Sequence, residues 1–120
     1  MYKIKITVLK RMANPDLITE YSGDKVRDER LVSPQCGMFT DGQEFMLSDA
    51  SELPEAFCAW AWADIHREIL AISGGSDMTP WIKKPGLAIA CCTDGFRPVV
   101  FKIERGVWAA SEAELLQRTR

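Results

Sequence analysis

Four cysteines carry most of the chemistry open to this 120-residue chain: Cys36, Cys58, Cys91 and Cys92. Four thiolates are the number that a structural zinc or an iron–sulfur cluster takes. No two of them form a Cys-x-x-Cys pair, so the zinc-ribbon and common ferredoxin spacings are both missing. Three well-separated segments nevertheless each offer thiol near a turn or a helix end. Adjacent residues on a regular strand face opposite ways, so Cys91 and Cys92 could share one ion only where the strand bends or bulges. The competing reading is plain burial, because cysteine is among the most buried residue types. A vicinal disulfide is a third and minor alternative.

The second chemistry is nucleophilic. A thiol enzyme needs a lowered cysteine pKa and usually a base. Cys58, near the start of a helix, would have help from the helix dipole. His66, the one histidine, lies about 12 Å further along by the helical rise, which excludes a direct Cys58–His66 pair. It could meet Cys36, Cys91 or Cys92 only through the fold, and a lone helical histidine is more often structural. The thiol-enzyme alternative therefore places a small pocket at Cys58 and Cys92, beside Trp60, Asp94 and Arg97. Arg97 could pair with Asp94 or hold an anionic ligand, and Asp94 could simply stabilise its turn. Trp60, Trp62 and Trp81 could wall a pocket, although tryptophans more commonly anchor a core. Asp41, Glu44 and Asp64 read as ordinary exposed carboxylates. Neither a phosphate-binding glycine loop nor a dinucleotide fingerprint occurs.

The elements that must place these groups follow from patterning. Length predicts one domain. A net charge of −2 offers no basic field for nucleic acid or an anionic membrane. Charges interrupt the N-terminal apolar runs, so no signal-peptide core is read there, and no stretch has the length of a membrane span. A cytoplasmic location with reduced thiols is the expectation.

Tyr2 to Leu9 alternates, with Ile4, Ile6 and Val8 on one face, and predicts a half-buried strand. Asn14-Pro15-Asp16 opens a short helix carrying Leu17, Ile18 and Tyr21. Asp24 to Arg30 mixes charges of both signs and reads as a loop or solvated extension. Cys36 falls in turn material. Gln43 to Leu47 reads as a strand with Phe45 and Leu47 inward. The main helix is expected over Glu55 to Ile72, with Cys58, Trp62, Ile65, Ile69 and Ile72 as its buried stripe. Trp81 and Ile82 are expected to fold over the core. Gly86 to Cys92 and Arg97 to Glu104 predict a hairpin reversed tightly at Asp94-Gly95. Ser111 with Glu114 matches a capping box for a C-terminal helix, whose Trp108, Leu115 and Leu116 would pack on the domain or on a second copy as a homodimer. The fold class expected is α+β, a small mainly antiparallel sheet packed on one main helix.

Three segments also carry a resemblance: Cys36 to Phe45, Pro54 to Ile65 with its Phe-Cys-Ala-Trp-Ala-Trp run, and Ala90 to Arg105 with Cys-Cys-Thr-Asp-Gly-Phe-Arg-Pro-Val. They resemble a family of short prokaryotic proteins of unknown function, and the opening Lys-Ile-Thr-Val-Leu-Lys is similar to that family's first strand. The likeness spans most of the chain up to Arg105. All four cysteines lie in or at these segments, and the family's frequency in anaerobes would suit an oxygen-sensitive cluster. The resemblance thus implies a cysteine-ligated iron–sulfur or zinc site, in a redox or structural role, as the first expectation. A non-catalytic interaction module with buried thiols is the remaining alternative.

Overall fold

The computed structural model describes residues 1–105. In chain order these form β1 (Ile4–Arg11), α1 (Pro15–Tyr21), α2 (Asp24–Val32), β2 (Glu44–Leu47), α3 (Ala59–Ser73), β3 (Leu87–Cys91) and β4 (Val99–Glu104). The strands make one antiparallel sheet in the order β2-β1-β4-β3. Helix α3 covers one face, so the fold is α+β with two layers. Among the described residues no helix is long and apolar enough to cross a membrane. The expected C-terminal helix and the dimer contacts at Trp108, Leu115 and Leu116 lie outside the described residues.

Strand alternation builds the core. Ile4, Ile6 and Val8 of β1, Phe45 and Leu47 of β2, and Val99, Phe101 and Ile103 of β4 are all buried on the helix side. Ala88 lets α3 approach β3 closely, and Ala61, Ile65, Ile69 and Ile72 of the helix complete the layer. The opposite face is charged: Lys5 of β1 reaches Glu44 of β2 at 2.8 Å and Glu104 of β4 at 3.7 Å. At the end of the sheet next to the first turn of α3, Phe39, Phe45, Phe57 and Phe101 pack mostly edge-to-face, with centroids 4.8–6.0 Å apart.

β1 changes phase at Leu9. Val8 faces Phe101, but the next pair is Lys10 with Val100, followed by Arg11 with Val99. Leu9 is the extra residue of a β-bulge. Simple alternation would turn Lys10 toward the core; the bulge gives that face to Arg11 instead. Its guanidinium donates from Nη1 to the Cys36 carbonyl at 3.1 Å and pairs through Nε with Asp41 at 3.1 Å. Gln35 Nε2 donates back to the Arg11 carbonyl at 2.8 Å. The loop after α2 is thereby fixed to the strand.

Several expectations are corrected. The charged stretch Asp24 to Arg30 is helical, part of α2; none of its residues is buried, and an Asp24–Arg27 pair at 3.0 Å supports it. A helix without an apolar stripe leaves no periodic signal to read. Helix α3 begins at Ala59, not Glu55: Ala56 sits at φ +63° and Phe57 turns inward to the aromatic cluster, so Cys58 becomes the N-cap. Trp81 is 84% exposed rather than folded over the core. The reversal between β3 and β4 is a broad loop over residues 92–98 rather than a two-residue turn.

Candidate functional site

Residues from the segments Cys36 to Phe45, Pro54 to Ile65 and Ala90 to Arg105 meet at one end of the sheet. There they line a cleft of about 450 Å³. The loop after α2 contributes Cys36, Met38 and Phe39; the start of α3 contributes Cys58, Trp60 and Ala61; the β3–β4 loop contributes Cys92 through Arg97, and Val99 follows from β4. Three of the four cysteines therefore line one space.

Each thiol is placed for a local reason. Cys36 is half-buried in the loop held by Arg11. Cys58, also half-buried, is the N-cap of the 15-residue helix α3 and makes no side-chain capping bond. Cys92 leaves β3 paired to β4: its N–H donates to the Val99 carbonyl at 3.0 Å, and its Sγ accepts the Val99 N–H at 3.2 Å. Cys91 faces the other way, as the strand pleat demands. It is exposed, lies outside the cleft lining, and its thiol donates to the Cys92 carbonyl at 3.2 Å. Although the residue is exposed, desolvation of its sulfur pushes the thiol above the ordinary cysteine range, with Cys92 and Asp64 adding in the same direction.

The expected four-cysteine ligand set is not assembled in this geometry. Cys91 is turned away from the cleft, and among the described residues no three of His, Cys, Asp and Glu are grouped to hold a metal ion. His66 does not line the cleft. Its Nε2 lies 2.8 Å from the Ala50 carbonyl and its ring stacks on Trp62 at 4.7 Å, so it acts as a structural residue of α3.

The β3–β4 loop is unusually well tied. Asp94 Oδ1 accepts the N–H groups of Phe96 at 2.9 Å and Arg97 at 3.2 Å, an Asx-type turn. Asn14, expected to cap α1 with its side chain, instead donates from Nδ2 to the Gly95 carbonyl at 2.7 Å, and its own N–H donates to the Phe96 carbonyl at 2.9 Å. From the other side Thr93 is bound to α3: its N–H and its hydroxyl both donate to Asp64 Oδ2, at 2.7 and 2.9 Å. The same hydroxyl oxygen accepts the Trp60 indole N–H at 2.9 Å. The Arg30 guanidinium of α2 lies over the Phe96 ring at 5.7 Å. Thus α3, α2 and the β1–α1 connection all brace one loop.

Sequence reasoning placed Cys58, Cys92, Trp60, Asp94 and Arg97 together, and the cleft lining contains all five. It missed the relay through Asp64 and Thr93. The i,i+4 spacing of Trp60 and Asp64 on one helix face was the available signal; their link to Thr93 exists only through the fold. No family model, curated protein or solved structure matches the chain.

Proposed function

We propose that the cleft is a thiol-dependent site for a small organic molecule, with Cys58 or Cys92 as the sulfur nucleophile. One observation carries this reading: cysteines from a loop, a helix N-cap and a strand end line a single cleft beside Trp60, Asp94 and Arg97. Its volume of about 450 Å³ falls in the range of small-molecule sites, and its walls are mostly apolar with a few polar groups, as such sites require. The family-like segments are the segments that line it. A cytoplasmic setting, where thiols stay reduced, suits the chemistry.

Labelling kinetics test it. N-phenylmaleimide has an apolar body that the cleft can bind before a sulfur adds to the double bond. Modification of Cys58 or Cys92, mapped by mass spectrometry, is expected to saturate with probe concentration, and Cys58→Ser or Cys92→Ser removes the saturating phase. Cys91 is the internal comparator: it lies outside the cleft, its thiol is pushed up, and its rate at neutral pH stays low and proportional to probe. Four thiols that all react without saturation would remove the reading.

A second reading places a zinc ion or iron–sulfur cluster in the same cleft. The presence of Cys36, Cys58 and Cys92 along one cleft favours it, because an all-thiolate donor set suits both. The three sulfurs would have to draw together, with Cys91 or an outside group as fourth ligand. Metal analysis and a visible spectrum of anaerobically purified protein decide: a colourless, metal-free sample excludes it.

A further inference from the structure

Trp60 combines two properties that rarely coincide. The residue is 66% exposed at the edge of the cleft, yet its ring is held by a hydrogen bond. The indole N–H is bound to Thr93 Oγ1 at 2.9 Å, and Thr93 is bound twice to Asp64. Trp60 and Asp64 stand one helical turn apart on α3, so helix and loop hold the ring from both sides. An aromatic face left open to water but already immobilised loses little conformational freedom when a ligand covers it.

The charge beside it is also assigned. Asp94 uses Oδ1 to accept two backbone N–H groups of its own turn, and its Oδ2 lies 3.7 Å from Arg97 Nε. The terminal nitrogens of Arg97 have no hydrogen-bond partner among the described residues, and the side chain is one-third exposed. The guanidinium is a planar fork of donors matched to a carboxylate. Asp64 and Asp94 are occupied in holding the loop, so the group in the cleft with donors to spare is cationic.

We propose that the ligand is a flat, conjugated organic acid that stacks on Trp60 and sets its carboxylate on Arg97. This rests on the cleft being a small-molecule site, as in the preceding section, and adds the ligand's class. Thr93 and Asp64 are positioning residues that act through the indole. They set the plane of the stack.

Three probes separate the parts of this proposal. 2-Naphthoic acid is flat and anionic, 2-naphthalenemethanol is flat and neutral, and cyclohexanecarboxylic acid is anionic but puckered. Each is titrated against the full chain by calorimetry. Naphthoate is expected to bind most tightly, with each of the others weaker by at least about tenfold, or 1.4 kcal/mol. Arg97→Gln is expected to bring naphthoate down to the level of the neutral alcohol. Trp60→Leu is expected to bring it down to the level of the puckered acid. Thr93→Val keeps the ring but cuts its tether, and is expected to weaken both naphthyl probes while leaving cyclohexanecarboxylic acid unchanged; a general loss of structure would weaken all three. Because Trp60 and Arg97 are partly exposed, their variants are expected to unfold at the parent's denaturant midpoint.

Equal affinities for the three probes, or no saturable binding of any, would overturn the assignment. That failure is distinguishable from failure of the thiol reading. If N-phenylmaleimide labelling still saturates and naphthoate does not compete with it, the cleft binds small molecules of another class. If labelling never saturates, the thiol reading itself is lost.

Discussion

Phe101→Ala is expected to lower the unfolding free energy by about 3–5 kcal/mol, the cost of removing a large buried aromatic side chain and leaving a void. Whole domains are stable by only about 5–15 kcal/mol, so the variant would sit near the edge of folding. Position decides the size of the effect. Phe101 is fully buried and packs into the aromatic cluster, with Phe39 at 5.2 Å and Phe57 at 5.6 Å. Those two rings come from the loop after α2 and from the turn before α3, two of the segments that wall the cleft. Loss of the ring therefore loosens the cleft from beneath. Urea denaturation gives the stability change, and Cys36, mapped by mass spectrometry, is expected to alkylate faster in the variant under native conditions. Phe101→Leu refills part of the volume and is expected to recover most of both effects. A loss below about 1.5 kcal/mol, typical of volume-conserving swaps, would mean that the cluster repacks freely.

The second large effect is expected at Arg105→Met. Arg105 follows β4, and its Nη1 donates to the Ile72 carbonyl in the last turn of α3 at 2.7 Å. Its guanidinium also lies 4.9 Å from the centre of the Tyr2 ring. A cation at a helix C-terminus satisfies a terminal carbonyl and complements the dipole. A charge-assisted hydrogen bond contributes about 1.5–3 kcal/mol, and the aromatic contact adds about 0.5–1 kcal/mol. The expected loss is the sum, about 2–4 kcal/mol, read from the shift in urea midpoint. Methionine keeps most of the aliphatic stem, so the change reports the guanidinium and not the packing. Lysine should not restore it, because an ammonium cannot reproduce the flat stacked geometry. The fit is close: Gly86, at φ +75°, lies where an added Cβ would come within 3.1 Å of Arg105 Cγ. A side chain there would push Arg105 aside by a few tenths of an ångström, on a backbone conformation that favours glycine.

Much of this architecture could be read from residue patterns, and the exceptions have physical causes. Alternation located β1, β2 and β4 and their inward residues. The helical period located Ile65, Ile69 and Ile72, the inner face of α3. Pleating also predicted that Cys91 and Cys92 face apart unless the strand bends, and they do. Patterning failed where long-range contacts outweigh local preference. Asn14 has the chemistry of a cap but gives its side chain to the β3–β4 loop. The acidic and proline signals around Pro54 suggest a helix from Glu55, but the burial of Phe57 holds the chain out of one until Ala59. Helix α2 left no signal, since its exposed residues show no apolar side. The cleft was partly legible: its thiols and Arg97 were named from residue type, while the tether on Trp60 needed Asp64 and Thr93, 29 residues apart in the chain, to meet.

The irregularity in the first strand has a consequence for comparing this chain with any relative. Leu9 has no partner across β4, while Val8 and Lys10 on either side keep theirs. A protein lacking that one residue would retain every facing pair in the ladder. Removing Thr7 instead would exchange inside for outside along half the strand, carrying Ile4 and Ile6 into solvent. A single-residue gap in an alignment therefore belongs at Leu9, and placing it elsewhere in β1 would equate interior positions of one protein with surface positions of the other.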